Sequence, residues 1–243
     1  MFRLPKSISK VRYLSFRNPY EAETGSINKP QLLELSESAL RQKDYFGVEK
    51  MVTIKELFEN RVHIGHRSGK VHSEMNKYIL GTMDGISIID LDKTLPRMRQ
   101  ALNFVSHVVY RNGIILFVNE RPHFTRVTQE TARECGEYFA TRWVPGTFSN
   151  YGTYLKTAPF PDAIIVFNCI LSEILIKEAQ SCGIPVIAIC DSDSNPDNTM
   201  YPIPGNDDTS QTVVYYKDLF KRAVIQAKIK RNQDFIRHDN TLN

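Results

Sequence analysis

Three short runs in the second half of the chain, Ile114 to Val118, Ala163 to Phe167 and Pro185 to Cys190, are apolar along nearly their whole length rather than at alternate positions. A strand of that kind needs cover on both faces, which is the signature of a parallel sheet between two layers of helices. The helices are legible around them. Leu91, Leu95, Met98, Leu102, Val105 and Val109 recur at steps of four and three, and Gly113 is positioned to stop that helix. A second helix carries Phe124, Val127, Thr131 and Cys135 and ends at Gly136, and a third runs from Leu171 to Cys182 and is closed by Gly183. The last begins around Asp207 or Asp208, acids suited to a helix N-terminus, and extends to about Arg231. Upstream, Thr53 is a candidate N-cap for a helix from Ile54 to Asn60. A polar loop, His63 to Lys77, follows, and Tyr78 to Leu80 and Ile86 to Leu91 flank an Asp84-Gly85 hairpin turn. The alternation predicts an α/β fold.

Composition narrows the class. The chain has 243 residues, 42% apolar and 24% charged, with a mean hydropathy of −0.32. Its longest apolar stretch, Ala163 to Ile176, is broken by Asn168, Ser172 and Glu173, short of the roughly 20 residues of a membrane span. No membrane association is expected. The net charge of +4 is unevenly placed: residues 1–20 hold Arg3, Lys6, Lys10, Arg12 and Arg17 and no acid, leaving 26 basic and 27 acidic residues in the remainder. With Ser7, Ser9 and Ser15 among spaced apolar residues, this arm has the composition of a mitochondrial transit segment. The chain therefore divides into the arm (1–20), an extension (21–50), one α/β domain (51–231) and a tail (232–243). Cys135, Cys169, Cys182 and Cys190 form no C-x-x-C pair and sit in or beside apolar segments, as small core residues do.

Several motifs imitate active sites. His63-Ile64-Gly65-His66 spells a nucleotidyltransferase signature, but the segment before it has helical patterning and no partner loop follows. Gly65 to Lys70 is one residue short of a phosphate loop, and Val71 stands where Ser or Thr would hold magnesium. His63, His66 and His72 lack the pairing of a zinc site, so no metal is expected. Val186 to Cys190 followed by Asp191-Ser192-Asp193 copies the opening of phosphatases that use one Asp as nucleophile and the next as acid. The acidic motif at Asp207-Asp208 follows too soon for the intervening strands and helices. Residues alone thus leave one enzymatic alternative, a small phosphotransferase or nucleotidyltransferase using His63, His66, Asp191 and Asp193. A last cluster, Arg142-Trp143-Val144-Pro145-Gly146 to Asn150, with Lys156 beyond it, combines a guanidinium, an indole and a kinked turn. It suits sugar-phosphate contact with Trp143 turned inward and Arg142 outward.

In order and spacing, these segments resemble the family of the universal second protein of the small ribosomal subunit, in its bacterial and organellar form. The likeness runs from about Val52 to Ala227. It rests on Val62 to His66, Asn76 to Ile79, Gly85 to Leu91 with Lys93-Thr94, Gly113 to Val118, Arg142-Trp143 to Asn150, Pro161 to Ala163, Gly183 to Ala188 and Tyr201 to Asp208. The resemblance implies a three-layer flavodoxin-like domain with five parallel strands in the order 2-1-3-4-5, no cofactor and no catalysis. It places the protein on the solvent side of the small subunit, near the head-body junction and the path of exiting messenger RNA. The basic arm adds the mitochondrial form of the family and a matrix location. Partners are then the small-subunit mitochondrial rRNA and neighbouring mitochondrial ribosomal proteins, not a second copy of the chain.

Carried onto this sequence, the contact candidates are His66, Arg67, Lys70, Lys77, Arg142, Asn150 and Lys156, with Lys221 and Arg222 on the basic last helix, while Gly205 to Asp208 becomes a turn and helix cap. The chain also departs from the family. Only Tyr151 to Phe160 spans the place of a long bacterial helical hairpin, Asn119-Glu120-Arg121 stands where Gly-Thr-Lys is usual, and Pro145 replaces a Gly. A charge near −1 beyond the arm is low for a protein held mainly by phosphates, which implies an interface rich in protein.

Overall fold

The computed structural model describes residues 29–150 and 159–242; the basic arm and Lys156 lie outside the described residues. The described residues begin with α1 (Lys29–Leu40) and α2 (Ile54–Glu59), then a three-stranded antiparallel sheet of β1 (Ile64–Arg67), β2 (Ile79–Met83) and β3 (Ile86–Ile89). The larger layer follows as α3 (Leu91–Tyr110), β4 (Ile115–Val118), α4 (Thr125–Cys135), β5 (Tyr138–Ala140), β6 (Ala163–Val166), α5 (Glu173–Ser181), β7 (Val186–Cys190), β8 (Tyr201–Pro204) and α6 (Ser210–Leu242). Its five strands lie in the order β5-β4-β6-β7-β8, every pair parallel. Numbered within the sheet this is 2-1-3-4-5, as the family resemblance implies.

Side-chain alternation sorts the apolar runs onto two cores. Ile115, Phe117, Ile165, Phe167, Ile187 and Ile189 face a core shared with α3 and α6. Leu116, Val118, Ile164, Val166, Val186 and Ala188 face a second one with α5, Trp143, Phe148, Met75 and Tyr78. The stretch set apart as an extension also contributes, because Ala39, Phe46 and Val48 are buried in the first core.

Local signals are mostly realised. The Thr53 hydroxyl accepts from the Glu56 amide at 3.3 Å and the Glu56 carboxylate from the Thr53 amide at 3.2 Å, a reciprocal cap. The hairpin turns at Asp84-Gly85, both with positive φ. Two readings need correction, and two strands were not anticipated. The polar stretch 63–77 is not all loop, since β1 lies inside it and pairs with β3. The edge strands β5 and β8 have no apolar run of their own: β5 is three residues long and β8 reads Tyr-Pro-Ile-Pro. Proline is tolerated at a sheet edge because no outer neighbour requires its amide. The last helix begins at Ser210, not at Asp207 or Asp208, and continues to Leu242 through the segment assigned to a tail.

Helix α3 ends differently from expectation. The left-handed residue is Asn112, φ 62°, and the Gly113 amide donates back to the Val108 carbonyl at 2.9 Å, a Schellman closure with Asn at its special position. Gly113 is needed for space instead: a Cβ there would lie 2.6 Å from Val108 Cγ1 and 2.8 Å from the Val108 oxygen. Gly113→Ala is therefore expected to destabilise the fold by about 1–3 kcal/mol, whereas Asn112→Gly changes stability by only a few tenths. Urea denaturation of the two variants separates these outcomes.

Candidate functional site at the carboxyl edge of the sheet

In a parallel sheet the loops after the carboxyl ends of the strands converge on one edge, where ligands of such folds are bound. Here they bring together Arg121 after β4, Asn168 after β6, Asp191 and Asp193 after β7, and Asp207 and Asp208 after β8. The antiparallel sheet closes over them through β1. The His66 amide donates to the Ser192 hydroxyl at 2.8 Å, and the His72 amide to the Ser192 carbonyl at 2.8 Å. Gly65 permits this approach, because a Cβ on it would stand 2.8 Å from Ser192 Oγ and 3.1 Å from the Ser87 oxygen. The glycine of the His-Ile-Gly-His string thus makes room for protein, not for a nucleotide.

The His66 ring is the hub. Nδ1 is 3.2 Å from Asp191 Oδ1, and Nε2 is 3.1 Å from Asp208 Oδ2 and 3.5 Å from Asp193 Oδ2. Arg121 reaches Asp207 at 2.9 Å and also pairs with Asp208, while Asn168 donates to the other Asp207 oxygen at 2.9 Å. Asp191 is 1% exposed and accepts from the backbone amides of Ser192 (2.5 Å) and Asp207 (3.3 Å).

Crowding of four carboxylates fixes the protonation. The hydrogen bond to Asp191 raises the His66 pKa to about 9 against the opposing effect of its burial, and the charges of Asp191, Asp193 and Asp208 add to the rise. Burial, with the Asp191 charge beside it, pushes Asp207 up to about 8, and Arg121 limits that rise. Chemically the cluster can hold protons. Donor atoms of His66, Asp191 and Asp208 also lie within 4.8 Å of one another, and an imidazole nitrogen with two carboxylate oxygens suits a divalent ion. That set spans strand β1 and the loops after β7 and β8, so no sequence spacing announced it.

As a phosphotransferase centre the site fails on access. Asp191, the would-be nucleophile, is sealed by its own partners. His63 does not join it: its ring stacks on Phe58 at 4.5 Å, and burial lowers its pKa.

The Arg-Trp turn is organised by a residue that the sequence reading missed, Glu178 on α5. Its carboxylate accepts from Trp143 Nε1 (3.0 Å), from the amides of Gly146 (3.2 Å), Phe148 (2.7 Å) and Ser149 (3.0 Å), and from the Ser149 hydroxyl (3.3 Å). Burial alone would raise its pKa, but these donors outweigh it and hold the group below its ordinary value. Trp143 is buried and Arg142 exposed, so the inward and outward assignment holds. Asn150 is exposed at the end of the turn. No local signal points to Glu178, one of several polar residues on α5.

The remaining candidates separate. Arg67 and Lys70 are exposed and meet no carboxylate among the described residues. Lys77 is bound to Asp197 at 2.8 Å. On α6 three of the seven lysines and arginines turn inward. Lys217 is buried against Thr128 Oγ1 (2.7 Å), Lys228 binds Glu137 and the Cys135 carbonyl (2.6 Å), and Arg231 binds the Val109 carbonyl (3.2 Å). Lys221 pairs with Glu134 (3.0 Å) and Asp218 (3.2 Å), and Arg222 is exposed. The helix is thus not a continuous basic surface.

Two outcomes follow. In chelator-treated protein the His66 imidazole titrates near pH 9, not 6.5. Because its folded pKa lies above the unfolded value, its stabilisation is complete below about pH 6.5 and is lost as pH rises through 9. Histidine NMR and melting temperature against pH check both, and His66→Gln should flatten that fall. Glu178→Ala leaves three amides and the indole unpaired and should cost roughly 2–3 kcal/mol, read by urea denaturation.

Comparison with known proteins agrees with this architecture. The family model for ribosomal protein S2 matches residues 57–160 and 152–227. A small ribosomal subunit protein uS2m from Bos taurus is 38% identical over 200 residues, covering 80% of this chain and 68% of the bovine one. The uS2 proteins of Bartonella quintana and Francisella tularensis subsp. novicida are 33% and 31% identical. They cover 74% and 73% of this chain and 87% and 93% of their own. The chain belongs to the ribosomal protein S2 family, as a mitochondrial member of it.

Proposed function

We propose that the protein is a non-catalytic scaffold of the mitochondrial small ribosomal subunit, holding small-subunit rRNA and neighbouring ribosomal proteins near the head-body junction and supporting subunit assembly. The observation that carries this reading is the state of the carboxyl-edge crevice. In an enzyme of this architecture those loops leave polar groups open to substrate, whereas here Asp191 and Asp207 are 1% and 2% exposed and bound within the chain. What the protein offers outward lies elsewhere.

Arg67 and Lys70 beside the β2–β3 hairpin, and Arg142 on the Glu178-braced turn, are the exposed cations suited to phosphate. The outer side of α6 favours protein instead. Ile229 and Ile236 are 52% and 62% exposed there, and three of the helix's cations face inward. Asn150, at the end of the Arg-Trp turn, belongs to the same reading, and so does Lys156 by its place six residues further along the sequence. His66 does not contact RNA directly in this account but positions β1, which presents Arg67.

Ultraviolet crosslinking of assembled subunits tests it. Peptides spanning Arg67 to Lys77 and Arg142 to Asn150 should carry RNA adducts, and α6 peptides should crosslink to protein. For isolated rRNA binding, the double change Arg67→Ala, Lys70→Ala should lower the slope of log affinity against log salt by roughly 1–2. An unchanged slope, or RNA adducts confined to α6, contradicts the assignment.

A further inference from the structure

Helix α6 carries apolar residues on two opposite sides, and the fold uses one of them. Tyr216, Phe220, Ala223, Val224 and Ala227 are buried in the first core. Across the helix, Arg222, Ile225, Ile229, Asn232 and Ile236 follow one another at steps of three and four, which at 3.6 residues per turn puts them in one stripe on the side away from that core. Ile229 and Ile236 within it are 52% and 62% exposed. A helix that serves only its own core needs a single apolar face. Alternating steps of three and four are those of a seam that a second helix fills, and a lone polar residue inside such a seam, here Asn232, fixes the register.

The first two turns of the seam line an open groove of about 710 Å³, whose other wall is the turn from Gly47 to Met51. Gln226 Nε2 donates to the Phe46 carbonyl at 2.8 Å, and Phe46 and Val48 are themselves in the core, so that wall is held by the fold. Met51, Ile225 and Ile229 make the groove apolar, and Lys50 and Arg222 make it positive. No acid among the described residues lines it, since Glu49 beside Lys50 stays outside. Both cations are exposed and meet no carboxylate among the described residues. Arg222 Nε donates to the Asp218 carbonyl of its own helix, at 3.4 Å.

We propose that this groove is the docking site of an acidic amphipathic helix of a neighbouring small-subunit protein. The proposal rests on the scaffold reading above and states the chemistry of one partner in it. The spacing of the seam calls for a helix, because side chains at those steps form a ridge that fits the groove of another helix. The two cations without carboxylates call for Asp or Glu at the positions that face them. From Arg222 to Ile236 the seam is about 21 Å long at 1.5 Å per residue, so a partner of roughly four turns covers it. A second copy is a poorer occupant, since the seam has no acid to offer Lys50 or Arg222. RNA is poorer too, because phosphate contacts would leave Ile225, Ile229 and Ile236 facing water.

The test puts the photoreactive residue benzoylphenylalanine in place of Ile229 in the full-length chain, lets it assemble into small subunits and maps the adducts by mass spectrometry. Ile236, on the same seam, takes the probe if the first position does not assemble. The expected adduct is on one ribosomal protein, in a segment whose apolar residues repeat at steps of three and four and whose acids outnumber its bases. A synthetic peptide of that segment should bind the purified chain and gain helicity as it binds. Lys50→Glu with Arg222→Glu should weaken this binding by roughly tenfold or more at an unchanged melting temperature, and a peptide with its facing acids changed to lysine should restore it. A chain that stays out of subunits with or without the probe removes the scaffold reading and this one with it. In a chain that does enter subunits, the proposal alone is overturned by adducts on rRNA, on residues 1–28 of the same chain, on a second copy or on a segment without that pattern. The absence of any adduct, or a double variant that binds the peptide unchanged, overturns it equally.

Discussion

Four carboxylates meet at one end of the parallel sheet, and the fold is built to make that tolerable. Asp191 and Asp207 are buried, where a charge without a partner is costly. His66 and Arg121 supply the counter-charges from two different parts of the chain, one from the antiparallel sheet and one from the loop after β4. The cluster therefore joins the two sheets. Removing His66 would take away the ion pairs through which β1 meets the loops after β7 and β8.

The same economy governs α6. Two of its buried cations sit at helix C-termini, Lys228 on the last carbonyl of α4 and Arg231 near the C-terminus of α3, whereas Lys217 lies at the opening of α4, where burial lowers its pKa to about 7. Positive charge against the C-terminal carbonyls is favourable because those groups have no partner within their own helix. A helix that looks made for RNA in the sequence is thus largely an internal clamp. Its outer side carries the exposed Ile229 and Ile236 beside the exposed Arg222 and Arg237.

Much of the fold was legible because its strongest signals are local. The continuous apolar runs of β4, β6 and β7 announce a sheet covered on both faces, and Thr53 with Glu56 announces a helix start. The edge strands were not legible: β5 is too short to show a period, and the prolines of β8 argue against a strand until its edge position is known. Nor was the direction of the Asp207 and Asp208 side chains, which read as helix caps but turn to Arg121. Whether the His66, Asp191 and Asp208 triad exists at all depends on β1 meeting two loops that lie more than a hundred residues further along the chain. Glu178 was silent for the same reason, since its meaning lies in amides some thirty residues away. Family resemblance supplied the strand order that local reading could not.

The most direct measurement of the scaffold account is density-gradient sedimentation of a mitochondrial lysate, following this protein by immunoblot beside the small-subunit rRNA. The account predicts co-migration with that RNA at moderate salt, lost when subunits are dissociated and stripped of protein. A protein that remains at the top of the gradient, at about its own mass, would contradict it.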